Sequence, residues 1–172
     1  MALVVEDGTG KTDSDSYISI VDADTYNAAH EADTVYDVLD DTDKEKYLRL
    51  AAQDIGVMFY TRWRGSRSNE TQAMPWPRAG VIDYDGYLIE DDDMPLVLGY
   101  AQTELAIKYA NGTGRITATP SDAGVVKRKK VKAGPVESET EYVGGVSSSV
   151  VVYIVNDMLR GLIISGVQIE RS

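Results

Sequence analysis

The sequence predicts a mainly α-helical fold, a small helical bundle with a projecting β-hairpin and extended N- and C-terminal arms. Apolar residues recur at helical spacing in three separate stretches. A basic run and an acidic run flank Ala133-Gly134, as expected for two strands joined by a turn. At 172 residues the chain suits a single domain. We expect an N-terminal arm at 1–16, a helical core at 19–112 with a long loop at 66–92, a hairpin at 124–143, a last helix at 147–164 and a tail at 165–172.

Composition and charge narrow the classes of function. The chain has 17 Lys and Arg against 28 Asp and Glu, a formal net charge of −11, so its surface as a whole should repel a phosphate backbone. The absence of cysteine excludes disulfides, thiolate nucleophiles and iron–sulfur ligation. The most apolar stretch, 150–164, contains Asn156, Asp157 and Arg160 and falls short of the roughly 20 residues that a membrane span needs. We therefore expect no membrane partner.

Two helices are predicted before residue 66. Ser19 lies three residues before Asp22, the spacing of a capping box, which predicts a short helix over 21–32. Thr42 and Glu45 have the same relation at the start of a second, stronger helix. Its apolar stripe consists of Leu48, Ala51, Ala52, Ile55, Met58 and Phe59.

The segment 66–92 has no helical period, and a third helix follows it. Long loops in compact domains usually have a function or are held by a buried aromatic residue, so we expect Trp76 and Pro77 to be the structural anchor. Asp93 is the expected cap of the third helix, with Pro95 in its first turn. One face carries Leu98, Ala101, Leu105 and Tyr109, and Asn111-Gly112 ends the helix.

A charged hairpin and a last helix complete the predicted elements. A two-residue turn at Ala133-Gly134 places Lys130 opposite Glu137 and Arg128 opposite Glu139, with Val131 opposite Val136 and Val125 opposite Tyr142. The basic run is then either a finger for nucleic acid or a protein partner, or is neutralised by the acidic strand, which we favour. Ser147–Ser149 caps the last helix, although its β-branched residues also suit a strand. Its apolar stripe is Val151, Val155, Met158 and Leu162.

Three short motifs resemble functional sites without completing them. Gly8-Thr9-Gly10-Lys11-Thr12 resembles the end of a phosphate-binding P-loop, but Val5 stands where that pattern needs glycine, and we expect a flexible polar turn. Asp83-Tyr84-Asp85-Gly86 resembles a calcium loop without its final glutamate, and we expect a tight turn. His30 is the only histidine and should be a solvated helix residue. We expect no catalytic, cofactor-binding or metal-binding residues and no enzymatic activity.

The order of several segments resembles one protein family. The N-terminal run Met1–Gly10 is followed by Asp15-Ser16-Tyr17-Ile18-Ser19, and the segment from Gln72 through Trp76-Pro77-Arg78 and Gly80-Val81 to Met94-Pro95 is the most specific part. The helix with Glu104-Leu105-Ala106, the hairpin from Val131 to Pro135-Val136 and a closing helix complete the match. This arrangement resembles the head–tail connector (adaptor) proteins of tailed bacteriophages, a group that includes sequences labelled DnaT-like single-stranded DNA-binding.

The resemblance implies a structural protein of the virion neck. It implies a twelvefold ring of copies of this chain that binds the portal protein and a downstream stopper or tail protein, assembles in the host cytoplasm, and lets DNA pass without specific binding. The expected subunit or partner interface is the basic strand, with Lys127, Arg128, Lys129, Lys130 and Lys132. Met74, the β-branched start of the last helix and this basic strand depart from the family's pattern. The alternatives are a single-stranded DNA-binding replication protein and a cytoplasmic interaction module.

Overall fold

The computed structural model describes residues 2–113, 115, 126–132, 137–142 and 148–164, and it confirms the predicted mainly α fold. The expected tail at 165–172, the cap at Ser147 and the turn at Ala133-Gly134 lie outside the described residues. The helices are α1 (Ile20–Ala29), α2 (Thr34–Asp37), α3 (Asp41–Met58), α4 (Leu96–Ala110) and α5 (Ser148–Met158). Three antiparallel pairs join β1 (Ser66–Arg67) to β2 (Arg78–Ala79), β3 (Val81–Ile82) to β4 (Leu88–Ile89), and β5 (Val126–Lys132) to β6 (Glu137–Tyr142).

Helix α4 is the centre of the core. It packs against α1, α2, α3 and α5, and its residues are buried nearly all round, as expected for a helix enclosed by others. The predicted apolar faces of the second and third helices are confirmed. On α3 and α4 the buried residues include Leu48, Ala51, Ala52, Ile55, Phe59, Leu98, Ala101, Leu105 and Tyr109, while Met58 is half-buried.

The last predicted helix is also present, which decides against a strand. Residues 148–158 are helical, and the stripe residues Val155 and Leu162 are buried while Met158 is half-buried. The chain then turns back, and Ile163 forms an isolated bridge with Trp63. This bridge brings the end of α5 to the loop that follows α3.

Side chains cap the first turns of α1 and α3 but not that of α4. Ser19 caps α1 as predicted, because its hydroxyl accepts from the Asp22 N–H. The predicted start of the second helix at Thr42 is wrong by one residue, since Asp40 supplies the cap by accepting from the Asp43 N–H. The predicted cap at Asp93 is also wrong. Pro95 takes that position without a side-chain cap.

The N-terminal segment is extended as predicted, and hydrogen bonds hold it against the helices. The Gln102 side chain of α4 is fully buried and accepts from the Tyr17 N–H at 2.8 Å. The same amide donates to the Ser16 hydroxyl at 2.7 Å and to the Leu48 carbonyl oxygen of α3 at 2.9 Å. Because a buried polar group without partners costs about 1–3 kcal/mol, these bonds tie the segment to both helices.

The turn that resembles a P-loop surrounds a carboxylate of this chain. The buried Glu6 carboxylate accepts from the N–H groups of Gly8, Gly10 and Lys11 at 2.9–3.2 Å and from the Ser14 hydroxyl at 2.8 Å. Gly8 has a φ of +96°, and a Cβ there would lie 1.9 Å from the Asp92 carbonyl oxygen. The predicted polar turn is therefore present, and its N–H groups bind the Glu6 carboxylate of the same chain.

Trp76 holds the long loop to the helices. Its side chain is 0% exposed, in agreement with the prediction, and its indole N–H donates to the Asp93 carbonyl oxygen at 2.8 Å. The ring meets Trp63 edge-on at a centroid distance of 6.2 Å, and Pro77 follows through a cis peptide and is buried. Gln72 adds polar contacts by donating to the carbonyl oxygens of Met74 and Pro77.

The hairpin is present, but its predicted register is wrong by two residues. Lys132 pairs with Glu137, Lys130 with Glu139 and Arg128 with Glu141. Four residues, 133–136, therefore separate the paired strands, where a two-residue turn was expected. The predicted pairs of Val131 and Tyr142 are replaced by Val131 with Ser138 and Val126 with Tyr142.

Replacing Trp76 with alanine should destabilise the protein by about 3–5 kcal/mol, because it removes a large buried ring and the bond to Asp93. Urea denaturation followed by circular dichroism measures this loss. The exposed Tyr60→Ala is the matched control and should stay within about 0.5 kcal/mol of the parent protein. An unchanged midpoint for Trp76→Ala would show that the loop does not depend on this ring.

Candidate interaction surfaces

The backbone register of the hairpin places its cations opposite carboxylates. Arg128, Lys130 and Lys132 alternate along β5, and each pairs with a glutamate of β6. Lys129 pairs with Thr140, and Lys127 lies at the register shift between Val126 and Arg128. Lys127 and Lys129 are therefore the two members of the predicted interface that have no carboxylate at the opposite register position.

A groove of about 870 Å³ runs between α3 and the loop that follows it. Its lining includes Ala52, Gly56 and Val57 of α3 together with Met74 and Pro75 of the loop. The loop lies close to the helix at Gly56, where an added Cβ would be in van der Waals contact, 3.4 Å from the Pro75 Cγ atom. We call this the α3 groove. Its floor is largely apolar, and Tyr60, which is 80% exposed, lies at its edge.

Arginines at the rim make the α3 groove positive. Arg78 donates to the carbonyl oxygens of Arg64, Gly65 and Pro75, and Arg67 donates to that of Gln72. Within the described part of the chain, neither guanidinium forms an ion pair with a carboxylate. Burial, and secondarily the nearby charge of Arg67, lowers the pKa of Arg78. The rim therefore keeps positive charge within an acidic protein.

The other end of the groove is neutralised. Arg49 donates to the Asp15 carboxylate at 2.6 Å and to the Glu45 carboxylate at 3.1 Å. The bond to Asp15 is the main reason that the pKa of Arg49 is raised. Positive charge in the groove is consequently concentrated at the loop side, near Arg67 and Arg78.

A second cationic cluster surrounds Tyr84 on the β3–β4 turn. The guanidinium carbons of Arg64 and Arg160 lie 5.2 and 5.6 Å from the ring centroid, within the range of a cation–π contact, and the ring is 56% exposed. Arg62 lies over the Phe59 ring instead and donates to the Ile164 carbonyl oxygen. We call Arg64, Tyr84 and Arg160 the arginine–tyrosine cluster.

Sequence reasoning missed this cluster, although the signal was present. The run Tyr60-Thr61-Arg62-Trp63-Arg64-Gly65-Ser66-Arg67 alternates aromatic residues with cations. In the sequence, Arg62 and Arg64 follow the predicted second helix, where cations favour a helix C-terminus, and their position indicates no other role. In the structure α3 ends at Met58, so both arginines lie beyond it and donate to carbonyl oxygens of other segments.

The segment around α2 is acidic, in contrast to the arginine-containing surfaces. Residues 20–43 contain eight Asp and Glu and no Lys or Arg. Val38 is 80% exposed directly after α2, and Val35 is exposed within it. Asp37, Asp40 and Asp41 are exposed beside them. We call these five residues the acidic knob.

The remaining predicted motifs lie apart from these surfaces. Asp83 forms the predicted tight turn, because its carboxylate accepts from the N–H groups of Asp85 and Tyr87. His30 is exposed at the end of α1 as predicted, stacked on Tyr26 at 4.2 Å. In the ranges that the structure describes, no group of three or more acidic or histidine side chains is placed to hold a metal ion. No described helix is long and apolar enough to cross a membrane.

Comparison with known proteins gives one family. A family described as "Putative DnaT-like ssDNA binding protein" matches residues 1–172, the whole chain. The chain belongs to this family. No curated protein and no solved structure matches it. Membership in the DnaT-like family agrees with the broader part of the sequence resemblance.

A buried carboxylate of α4 is a cost to the fold at neutral pH. Glu104 accepts from the Tyr26 hydroxyl through Oε1, whereas Oε2 is buried without a hydrogen-bond partner among the residues described. Burial raises the pKa of Glu104, with a further contribution from Glu31, while the Tyr26 hydroxyl and the charges of Lys108 and His30 act in the opposite direction. Since the folded-state pKa lies above the unfolded value, protonation stabilises the fold as the pH falls through it.

Glu104→Gln should therefore raise the free energy of unfolding at pH 7.5, on the order of 1 kcal/mol, because the amide keeps an acceptor for Tyr26 without a buried charge. At a second, lower pH the advantage should shrink, because the parent carboxyl takes up its proton as the pH falls through its raised pKa. Urea denaturation of both proteins at the two pH values measures the difference. Glu104→Ala is the control and should be less stable at both values. A constant difference between the parent protein and Glu104→Gln would contradict the assignment.

Proposed function

We propose that this member of the DnaT-like family is a structural head–tail connector, a ring of identical subunits in the neck of a tailed phage. The observation that carries the proposal is the presence of two different surfaces, the α3 groove and the acidic knob, on one chain. A subunit that repeats one heterologous contact around a closed ring needs two such unlike surfaces. The portal on one side and a stopper or tail protein on the other are the proposed partners.

The overall charge supports this function. A connector must let the genome slide through its channel. A channel wall that repels phosphates does not bind the passing DNA. The formal net charge of −11 suits that requirement. The pairing of three β5 cations with glutamates of β6 also reduces the attraction of the hairpin for DNA.

The hairpin is the proposed contact with the portal or the neighbouring subunit. A two-stranded hairpin is marginal in water by itself, so it gains stability by resting on another surface. Lys127 and Lys129, which have no carboxylate opposite them, are the residues that we propose for this contact.

Single-stranded DNA binding is the second candidate, because of the family's description and the arginine–tyrosine cluster. Proteins that bind single strands without sequence preference combine cations with aromatic rings on which bases stack. The half-exposed Tyr84 between Arg64 and Arg160 has both components. This candidate therefore places the DNA at the cluster and not at the basic hairpin.

The connector function predicts weak binding to single-stranded DNA. Fluorescence anisotropy with a labelled oligothymidylate at about 0.15 M salt should give no sub-micromolar affinity, because the net charge opposes phosphate. Sub-micromolar affinity with a steep salt dependence would favour the second candidate. In that case Tyr84→Ala should weaken binding by about fivefold or more, the loss of one stacked base, while Tyr153→Ala, at another exposed tyrosine on α5, should not.

Lys127→Glu with Lys129→Glu should block assembly of the neck while the subunit stays folded. A charge reversal in a ring is repeated at every copy of the contact, and these two positions do not face the glutamates of β6. Electron microscopy of particles and circular dichroism of the purified protein measure the two effects. The matched control, Lys127→Gln with Lys129→Gln, should show a milder defect. Full-sized, DNA-filled particles with normal necks from the double glutamate variant would refute the role of the hairpin.

A further inference from the structure

We propose that the α3 groove of one copy receives the acidic knob of a second copy, so that subunits join head to tail. The inference rests on the proposed ring and names the contact that builds it. The apolar and positive groove should bind a surface that combines exposed aliphatic residues with carboxylates. The knob is such a surface on this chain.

The groove offers an apolar floor with cations on one side. Gly56 and Met74 line its bottom, and the exposed part of Val57 extends the apolar surface at its edge. Arg67 is exposed at the rim, and its guanidinium is bonded to a backbone carbonyl oxygen, which leaves its charge uncompensated. Arg78 adds a second positive charge beside it. An aliphatic side chain with carboxylates on its flank would fit this arrangement.

The acidic knob has those features at short range. Val38 projects into solvent with Asp37 directly before it and Asp40 and Asp41 shortly after it. Asp37 and Asp41 form no ion pair with any other described residue, so their charge is also available. Burying Val38 removes an aliphatic side chain from water, and placing the carboxylates near Arg67 compensates both sets of charges.

The position of the two surfaces favours a repeating contact. The knob ends at Asp41, the first residue of α3, and Val57, which lines the groove, lies on the last turn of the same helix. A rise of about 1.5 Å for each of these residues separates them by about 24 Å along the axis. Because the two surfaces differ, a single groove–knob contact leaves the knob of one copy and the groove of the other free to bind further copies. The two surfaces fit a heterologous contact that passes from one copy to the next.

A second copy suits the groove better than a nucleic acid does. Base stacking needs an exposed aromatic face. Trp63 lines the groove but is buried and packed against Phe59 and Trp76, which leaves Tyr60, at the edge, as the exposed ring of the lining. The largely exposed Val57 would gain no apolar contact from phosphates. In the arginine–tyrosine cluster, by contrast, two guanidinium groups lie over one exposed ring.

Cysteine cross-linking tests the contact directly, because the chain has no cysteine of its own. Val38→Cys and Val57→Cys are made as two separate variants of the full chain, mixed, and treated with a short bis-maleimide. We expect a cross-linked dimer that forms at least tenfold faster than in the control mixture of Val21→Cys with Val57→Cys. Val21 is a similarly exposed valine in the same acidic segment, outside the knob. Equal rates in the two mixtures would overturn the proposal.

Charge reversal gives a second measurement on the same mixture. Adding Arg67→Glu to the Val57→Cys variant should slow cross-linking several-fold, and Asp37→Lys in the Val38→Cys variant should restore part of the rate. If cross-linking is instead insensitive to both changes, the proposed charge match is wrong. If an oligothymidylate shields Val57→Cys from a thiol reagent and blocks the cross-link at equimolar concentration, the groove is a nucleic-acid site and the proposal also fails.

Failure of this contact is distinguishable from failure of the ring. Electron microscopy of the same protein bound to its portal reports whether rings form. Rings without the Val38–Val57 cross-link would refute the docking while leaving the connector function in place. The specific cross-link without rings would support the docking and refute the ring.

Discussion

The fold depends on one buried amide that joins three parts of the chain. Gln102 of α4 bonds to the backbone of Tyr17, to the hydroxyl of Ser16 and to the carbonyl oxygen of Leu48 on α3. The N-terminal segment has no regular partner strand along most of its length, so these bonds hold it against the helices. That placement in turn brings Asp15 to Arg49 at one end of the α3 groove. The shape and charge of the groove therefore depend on a side chain that does not line it.

Positive and negative charges lie in two different regions of the protein, the segment after α3 and the α1–α2 region. The four arginines between α3 and α4 donate to backbone carbonyl oxygens, as Arg64 and Arg78 do, and they tie together segments that have little regular structure. Carbonyl oxygens are uncharged, so the guanidinium charge is not cancelled. The α1–α2 region, by contrast, contains only carboxylates among its charged residues apart from His30. An acidic protein thus has a positive side, and this polarity is what makes unlike contacts between copies physically reasonable.

Helical periodicity predicted much of the fold, because α3 and α4 each bury a face of regularly spaced apolar residues. Leu48 is the first of these residues on α3 and Leu98 the first on α4. Periodicity could not predict the packing of the N-terminal segment. Gln102 and Glu6 are polar, and nothing in their spacing shows that they are buried among backbone groups. The hairpin register was missed because it depends on the length of the turn, which the charges alone do not fix. The arginine–tyrosine cluster requires knowledge that the β3–β4 turn lies beside the end of α5.

The turn around Glu6 shows how a familiar sequence motif acquires a different role. Its glycines and N–H groups form a small anion receptor, and the receptor is occupied by a carboxylate from the same chain. A tethered ligand competes at an effective concentration that is commonly millimolar or higher. A free phosphate must therefore displace an anion that never diffuses away, and it would also have to leave Glu6 buried without partners. The Glu6 carboxylate consequently holds the loop closed from within the chain and occupies the N–H groups that a phosphate would need.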